Sequence, residues 1–434
     1  MKKYIPQKLK NYYHLMQAIV ANIFYGFPAC NAMRSIAGRP ARKIKIIGVT
    51  GTNGKTTTVQ MITKILEESG AKVAMASTIN FKLDKEEWVN ATKFTTLSSI
   101  QVQKFITKAV KLGCEYFVLE TSSHSLDQFR TWGIKYDTAV ITNITREHLD
   151  YHKTMEGYRR AKLKLFNGVK RVVVNLDMEK SEEFLNSKAE TIFGYTAKNQ
   201  ELIKEEQKIK IVKAEKIELG IDNSKYEVAG ISYQINLPGL FNVENALAAT
   251  CVGMAYGISE DVIKKALEKI QGVPGRMEKV PNSRGIEIII DYALTPDSLE
   301  KLYELISKIK KADSKIISVF GSCGERDRGK RPIMGEIVSR YADYIIITNE
   351  DPYNENPNQI VDEVLGGIKN KKLGENLFRI MDRREAIKKA LQLAKPGDIF
   401  VITGKGAEEV MAIGKRRIPW NEKKVILEEL GKLN

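Results

Sequence analysis

The chain has 434 residues, 43% hydrophobic and 28% charged, with a formal net charge of +16; that length exceeds one ordinary core and suggests two or three domains. No run of eighteen apolar residues is present to span a bilayer, so a soluble, cytoplasmic protein is expected. Lysines mixed with glutamates (KSEEFLNSKAE, KEEQKIKIVKAEK) read as solvated faces rather than a nucleic-acid footprint, and Cys30, Cys114, Cys251 and Cys323 stand too far apart to suggest a disulfide framework or a zinc site.

The first segment, MKKYIPQKLKNYYHLMQAIVANIFYGFP, starts basic and continues as an aromatic-rich apolar stretch from Tyr12 to Phe27. It reads as a helix packed on the body of the protein. A second reading is an interfacial helix with its lysines at lipid headgroups, a peripheral membrane contact. The text from Pro28 to Lys43 has linker character, so residues 1–43 form an N-terminal helical segment and linker.

From Ile44 strand and helix patterns alternate: IKIIGVT, a helix to Ser69, KVAMAST, a helix from Ser98 to Leu112, then YFVLET, TAVITNI and RVVVNL. Strands separated by helices imply βαβ units and a mostly parallel sheet. Between Thr191 and Leu237 the apolar residues alternate over shorter runs, as expected of an antiparallel elaboration, and FNVENALAATCVGMAYG follows as a helix. At GVPGR (272–276) a second series begins: GIEIIIDYA, KIISVFGS, YADYIIITNE, DIFVITGKG. The expected fold class is α/β, with a central nucleotide-binding domain over 44–273 and a second α/β domain over 274–434.

The strongest local signal is IIGVTGTNGKTTT, an apolar strand running into a Gly/Thr/Asn turn and a helix. This is the order of a phosphate-binding loop, where backbone N–H groups and the positive end of a helix dipole meet an anion. Lys55 is placed to reach terminal phosphates and Thr56 to hold Mg²⁺ with its hydroxyl. Val49 stands where a strict motif has its first glycine, so the loop is a variant. Glu120, in YFVLETSSHSL, comes at the carboxyl end of a strand, where open α/β sheets bind ligands, and is a candidate Mg²⁺ ligand. TAVITNITREHLDYH delivers His148, Asp150 and His152 to the end of another strand. As bare sequence, His148 and His152 also fit a helix-surface pair, and Lys162, beside Arg159 and Arg160, an exposed helix lysine.

In order, TGTNGKTTT, ETSSH, NITREHLDYHKTMEGYRRAKLKLF, GLFNVENALAA, GVPGRME, DYALTPDSLEKL, VFGSCGERDRGKRP and ITGKGAEE resemble the Mur ligase family, and within it the UDP-N-acetylmuramyl-tripeptide synthetase branch. The resemblance runs from residue 44 to 434. It implies a P-loop-type ATPase central domain and a Rossmann-like C-terminal domain, in a monomer that forms an amide bond at the expense of ATP in peptidoglycan precursor synthesis. It places ATP phosphates on Thr50, Gly51, Thr52, Asn53, Gly54, Lys55, Thr56 and Thr57. One Mg²⁺ falls to Thr56 and Glu120 and a second to His148, with Lys162 carbamylated by CO₂ into an anionic ligand. Asn242 and Asn245 match adenine contacts, and Arg276 and Asp291 match nucleotide contacts from the C-terminal domain. The acceptor falls to Thr95, Thr96, Ser122, Gln128 and Arg130. The incoming amino acid falls to Asp351, Tyr353, Asn354, Gly404 and Glu408.

The implied chemistry is attack of an acceptor carboxylate on the γ-phosphorus, then attack of an amine on the acyl phosphate, with domain closure keeping water out. The sequence also departs from the family. Only 43 residues precede Ile44, which is short for a uridine-nucleotide domain, so uridine binding is expected to be reduced or the acceptor to differ. Leu97, Leu294 and Ala407 replace a proline and two histidines. Asp351-Pro352-Tyr353-Asn354 stands for the DNPR of diaminopimelate-adding members, and a tyrosine cannot replace the fork of an arginine. Two other readings stay open: a ligase with a non-UDP acceptor, like the folylpolyglutamate and cyanophycin ligases, and a nucleotide-binding module without ligase activity.

Overall fold

Near-continuous β-branched runs bounded by helical patterns become strands buried on both faces. A computed structural model describes residues 6–29, 43–92, 94–198 and 209–433 of the chain, so Cys30 and most of the 28–43 stretch lie outside the described residues. The chain divides into two units: residues 1–144 with 154–271, and residues 145–153 with 272–434.

The first unit is built on a nine-stranded sheet. Its strands are β1 (Lys45–Thr50), β2 (Val73–Ala76), β3 (Asn80–Leu83), β4 (Glu86–Val89), β5 (Tyr116–Glu120), β6 (Tyr136–Ile141), β7 (Arg171–Asn175), β8 (Thr191–Thr196) and β9 (Ile209–Lys213). The spatial order is β4-β3-β2-β5-β1-β6-β7-β8-β9, parallel from β2 to β9, with β3 and β4 added as an antiparallel hairpin at one edge. The sequence-based expectation of an antiparallel elaboration from Thr191 is corrected here. β8 and β9 extend the parallel sheet, and only Glu215–Leu219, Ser224–Val228 and Ile231–Ile235 pair as a separate antiparallel sheet, β10 to β12. An alternating edge strand looks the same from sequence whichever way its one neighbour runs.

Of the helices, α1 (Gln7–Phe24) packs on α3 (Ser99–Lys111), which Ser98 and Gln101 start with a capping box. The phosphate-loop helix α2 (Lys55–Glu68) lies against the helix Leu240–Ala255 and beside β1, β2 and β5. On one face, Ile46, Ala74, Phe117 and Leu119 pack with Val102, Phe105 and Ile106 of α3. Farther along, Ala139, Ile141, Val172 and Val174 pack with Leu165, Phe166 and Phe184. Two further elements come from this region: α4 (Ser123–Asp127) and, in the segment grouped with the second unit, α5 (Leu149–His152).

The second unit holds a six-stranded sheet in the order β13-β14-β18-β15-β16-β17. These are β13 (Glu278–Lys279), β14 (Glu287–Asp291), β15 (Ile316–Phe320), β16 (Tyr344–Ile347), β17 (Leu377–Arg379) and β18 (Ile399–Thr403), all parallel except β13. Ile288, Ile290, Ile317, Val319, Ile346, Phe400 and Ile402 make its core with the helices Arg383–Leu393 and Glu422–Gly431. A small hairpin, Val410–Ile413 with Arg416–Pro419, follows β18. At the carboxyl end of β18 Arg383 and Glu422 form an ion pair, each side chain 1% exposed: the guanidinium donates to both carboxylate oxygens and to the Thr403 carbonyl at 2.7 Å. Arg383→Ala is expected to destabilise this unit by about 3–5 kcal/mol, since removal of one partner strands a buried carboxylate. Denaturant titration should show the loss, and an unchanged midpoint would remove the pair from the fold's supports.

Candidate functional site

Thr50 ends β1 fully buried, and the next four residues turn into α2. That turn is clamped to the end of β6. The Thr52 N–H donates to the Asn143 carbonyl at 2.9 Å and the Asn53 N–H to the Asn143 side-chain oxygen at 2.9 Å, while Thr142 Oγ1 donates to the Asn53 carbonyl at 2.6 Å. Gly54 caps α2 at φ 81°, and a Cβ there would sit 2.3 Å from Asn245 Oδ1, so backbone conformation and close approach both require glycine. The expected adenine contacts Asn242 and Asn245 are both buried; Asn245 accepts from Thr58 Oγ1 at 3.2 Å, and Asn242 donates to the Pro238 carbonyl at 2.8 Å. In this arrangement they brace the loop from behind. Thr57 is buried beside them in the first turn of α2.

Lys55 Nζ donates to the Thr52 carbonyl at 2.9 Å. Thr56 Oγ1 donates to Glu120 Oε2 at 3.0 Å, and the same carboxylate accepts from the Thr78 N–H at 2.7 Å and Thr78 Oγ1 at 2.9 Å. Because β5 neighbours β1, the carboxyl end of one strand sets Glu120 beside the loop that follows the other. A hydroxyl and a carboxylate held this way suit Mg²⁺, which takes few protein ligands and completes its shell with phosphates and water. Among the described residues no three His, Cys, Asp or Glu gather into a metal cage.

Lys162 lies in α6 (Met155–Leu163) and is 1% exposed, not the surface lysine its arginine neighbours suggest. Its Nζ donates to the Gly51 carbonyl at 2.8 Å and lies 4.5 Å from the centre of the Tyr158 ring, while the Tyr158 hydroxyl meets Thr52 Oγ1 at 3.1 Å. Burial, and then the positive charge of Lys55, hold this amine well below the usual lysine range. An amine with a lowered pKa keeps a neutral, nucleophilic fraction near neutrality. The structure therefore brings Lys55, Thr56, Glu120 and Lys162 to one loop. His148 stands at φ 58° ahead of α5, in the segment grouped with the second unit, together with Asp150 and His152.

The expected acceptor residues share a network. Thr96 Oγ1 donates to the Glu120 carbonyl at 3.0 Å and accepts from the Ser122 N–H at 2.9 Å, and Arg130 Nη1 donates to the Thr96 carbonyl at 2.9 Å. Thr95 adjoins Thr96, and Gln128 closes α4 next to Arg130.

In the second unit the charged groups collect beyond the carboxyl ends of the parallel strands, the ligand-binding edge of such sheets. Asp291, at the end of β14, accepts from the Met277 and Ala293 N–H groups at 2.8 and 2.7 Å, and Arg276 stacks 4.3 Å from the centre of the Tyr292 ring. Burial raises the Asp291 carboxyl, opposed by Arg276 and those two N–H groups. Lys405, fully buried and not anticipated from sequence, ties the amino-acid candidates together. Its Nζ reaches Asp351 Oδ2 at 3.0 Å, Glu408 Oε2 at 2.5 Å and the Val410 carbonyl at 2.8 Å. Its one sequence signal is a lysine between two glycines just past a strand.

Gly404 at φ 104° lets the chain pass Glu350, whose Oε2 would lie 2.4 Å from a Cβ. Glu350, also missed, is buried, accepts from Cys323 Sγ at 2.8 Å and is raised chiefly by burial. Tyr353, at φ 50°, has the guanidinium groups of Arg326 and Arg417 each 5.6 Å from its ring centre; Asn354 donates to Glu325 at 3.0 Å. The buried Arg331 forks onto Glu355 at 2.7 and 2.8 Å and holds that carboxyl down to about 2, fixing the segment that carries Asp351 and Tyr353. Leu294, where the family has a histidine, takes part through its backbone carbonyl, which accepts from Lys330 Nζ at 2.9 Å. Lys330 also pairs with Glu147 at 3.0 Å. Cys114, Cys251 and Cys323 are all raised by burial, as unreactive thiols are.

Family models for the Mur ligase middle domain and for the Mur ligase glutamate ligase domain match residues 49–253 and 275–406, which makes the chain an ATP-dependent ligase that forms carbon–nitrogen bonds. It belongs to the Mur ligase family. The chain is 40% identical to a UDP-N-acetylmuramoyl-L-alanyl-D-glutamate–2,6-diaminopimelate ligase of Clostridium tetani over 91% of its own length and 79% of the relative's. A solved structure of a ligase of that name shares 31% identity and a TM-score of 0.59, covering 90% of this chain and 79% of the other. The fold alone is shared with folylpolyglutamate synthase of Mycobacterium tuberculosis, at 15% identity and a TM-score of 0.66, over 90% of this chain and 91% of that one.

Lys55→Ala is expected to lower ATP turnover by at least about a hundredfold, the scale of losing one pre-placed charge or donor at a reacting centre. Steady-state phosphate release checks this, and turnover within about twofold of the wild type would exclude the loop as the phosphate site.

Lys162→Ala is expected to cost at least about tenfold in turnover, 1.4 kcal/mol in barrier, with partial recovery in added short-chain carboxylate. Lys162→Arg should do no better, since a guanidinium keeps its proton. Near-normal turnover of the arginine variant would make Lys162 a structural residue.

Proposed function

We propose that the chain adds an amino acid to the peptide carboxylate of a UDP-N-acetylmuramoyl-L-alanyl-D-glutamate acceptor, in peptidoglycan precursor synthesis. The observation that carries this reading is the 40% identity, over nine tenths of the chain, to a ligase named for that acceptor. In this reading 44–273 is the ATP-binding domain and 274–434 receives the amino acid.

Lys55 would reach the terminal phosphates of ATP, and Thr56 and Glu120 would hold Mg²⁺, which would supply charge neutralisation at the phosphates. Thr96, Ser122 and Arg130 position the acceptor, whose carboxylate oxygen bonds to the γ-phosphorus as ADP leaves. The acyl phosphate is then attacked by the neutral amine of the amino acid: the C–N bond forms, phosphate leaves and the amine loses a proton. No side chain forms a covalent bond to substrate, and the contribution of the protein is placement and charge.

Lys162 fits the carbamate role by its burial. Its neutral amine adds to the carbon of CO₂ and releases a proton, turning a cation beside Lys55 into an anion suited to a hard metal. For the amino acid, Asp351, Glu408 and Lys405 offer paired charges, and Arg326 and Arg417 supply around Tyr353 the positive charge that position 353 lacks, so the site suits an amino acid with a carboxylate to hold. Phosphate release should be measured with ATP, Mg²⁺, UDP-N-acetylmuramoyl-L-alanyl-D-glutamate and each of the twenty amino acids plus diaminopimelate. Release that depends on this acceptor together with one amino acid is expected. Release only with a pteroyl or polypeptide acceptor would replace this acceptor, and ATP binding without release under any combination would leave a nucleotide-binding module.

A further inference from the structure

Helix α1 is held to the first unit by one face only. Ala18, Ala21 and Asn22 are buried; Asn22 Nδ2 donates to the Trp132 carbonyl at 2.9 Å, and Asn11 Nδ2 donates to the Asp127 carbonyl at 3.2 Å. These contacts fix the rotation of the helix. Opposite them Leu9, Tyr12, Tyr13, Met16, Val20, Ile23 and Phe24 are each more than half exposed. Leu9, Tyr13, Met16, Val20 and Ile23 follow alternating steps of four and three, so they form one continuous stripe. Tyr12 and Phe24 widen it at its margins, and seven large apolar side chains on one helix face exceed what a monomeric surface ordinarily leaves to water. At about 100° per residue, Lys8 and Lys10 flank the stripe on either side of Leu9.

Charge selects the occupant. The first 43 residues carry eight lysines and arginines and no aspartate or glutamate. A second copy of the helix laid on the first would bring lysines together with no acid to pair them. An anionic bilayer surface accepts the apolar stripe at its headgroup boundary and attracts Lys8 and Lys10 beside it. Tyr12, Tyr13 and the exposed Trp132 next to the helix add the amphipathic rings that settle at such boundaries. No described helix is long and apolar enough to cross a membrane, so contact would be along the surface. We propose that α1 docks the enzyme, stripe inward, on membranes rich in anionic phospholipid.

The test is co-sedimentation of the full chain with vesicles of phosphatidylcholine alone or mixed with phosphatidylglycerol, without substrates, so that its result stands apart from the acceptor assignment. Binding to the phosphatidylglycerol vesicles, weakened severalfold by raising salt from about 0.1 to about 0.5 M as screening shortens, is expected. The Met16→Glu/Val20→Glu variant, altered only at exposed positions, should keep wild-type ATP turnover and lose at least about nine tenths of the bound fraction. Three results would overturn the proposal: no sedimentation with either vesicle, equal and salt-insensitive binding to both, or a dimer in sedimentation equilibrium that this variant dissociates while vesicles stay bare.

Discussion

Two lysine amines share one four-residue turn. Lys55 donates to the carbonyl of Thr52 and Lys162 to that of Gly51. Both therefore draw on carbonyls of the same turn, and the positive charge of Lys55 adds to burial in holding the Lys162 amine well below the usual lysine range. Asn143 and Thr142 hold that turn from the end of β6 and Asn245 backs it from the helix Leu240–Ala255, with Gly54 providing the conformation that lets Asn245 come so near. Everything else in the first unit follows from supporting this turn. The strand order sets Glu120 next to it, and the Glu120 carbonyl in turn accepts from Thr96, one of the residues expected to meet the acceptor.

The second unit solves the opposite problem, an excess of buried acid. Asp351, Glu408 and Glu350 lie at the carboxyl ends of β16 and β18, with Lys405 as the buried cation that makes the first two tolerable. Arg383 with Glu422 and Arg331 with Glu355 repeat the device. Paired buried charges add little net stability, but the loss of either partner is costly, so they tie the loops to one arrangement.

Where a conformation is written in consecutive residues, the sequence was sufficient. GTNGKTTT after an apolar strand specified the loop, and the III and VVV runs specified strands buried on both faces. What failed to show were properties of packing. Lys162 sits among arginines on a basic helix, and only the fold of Tyr158 and Gly51 around it reveals a buried amine. Lys405 and Glu350 are ordinary charged residues until β16 and β18 deliver them to the same end of a sheet. The direction of β9 depends on which strand lies beside it, a long-range fact that period-two alternation does not encode.

Among the described residues the nine-stranded sheet ends in two edge strands, β4 and β9. A bare edge presents unpaired N–H and C=O groups to any passing strand. β4 is four residues long and begins with Glu86 and Glu87, and β9 carries Lys210 and Lys213 among its five. Brevity and charge make each rim a poor template, so the sheet that organises the phosphate loop can be this wide and still resist growing by addition of further chains into fibrous aggregates.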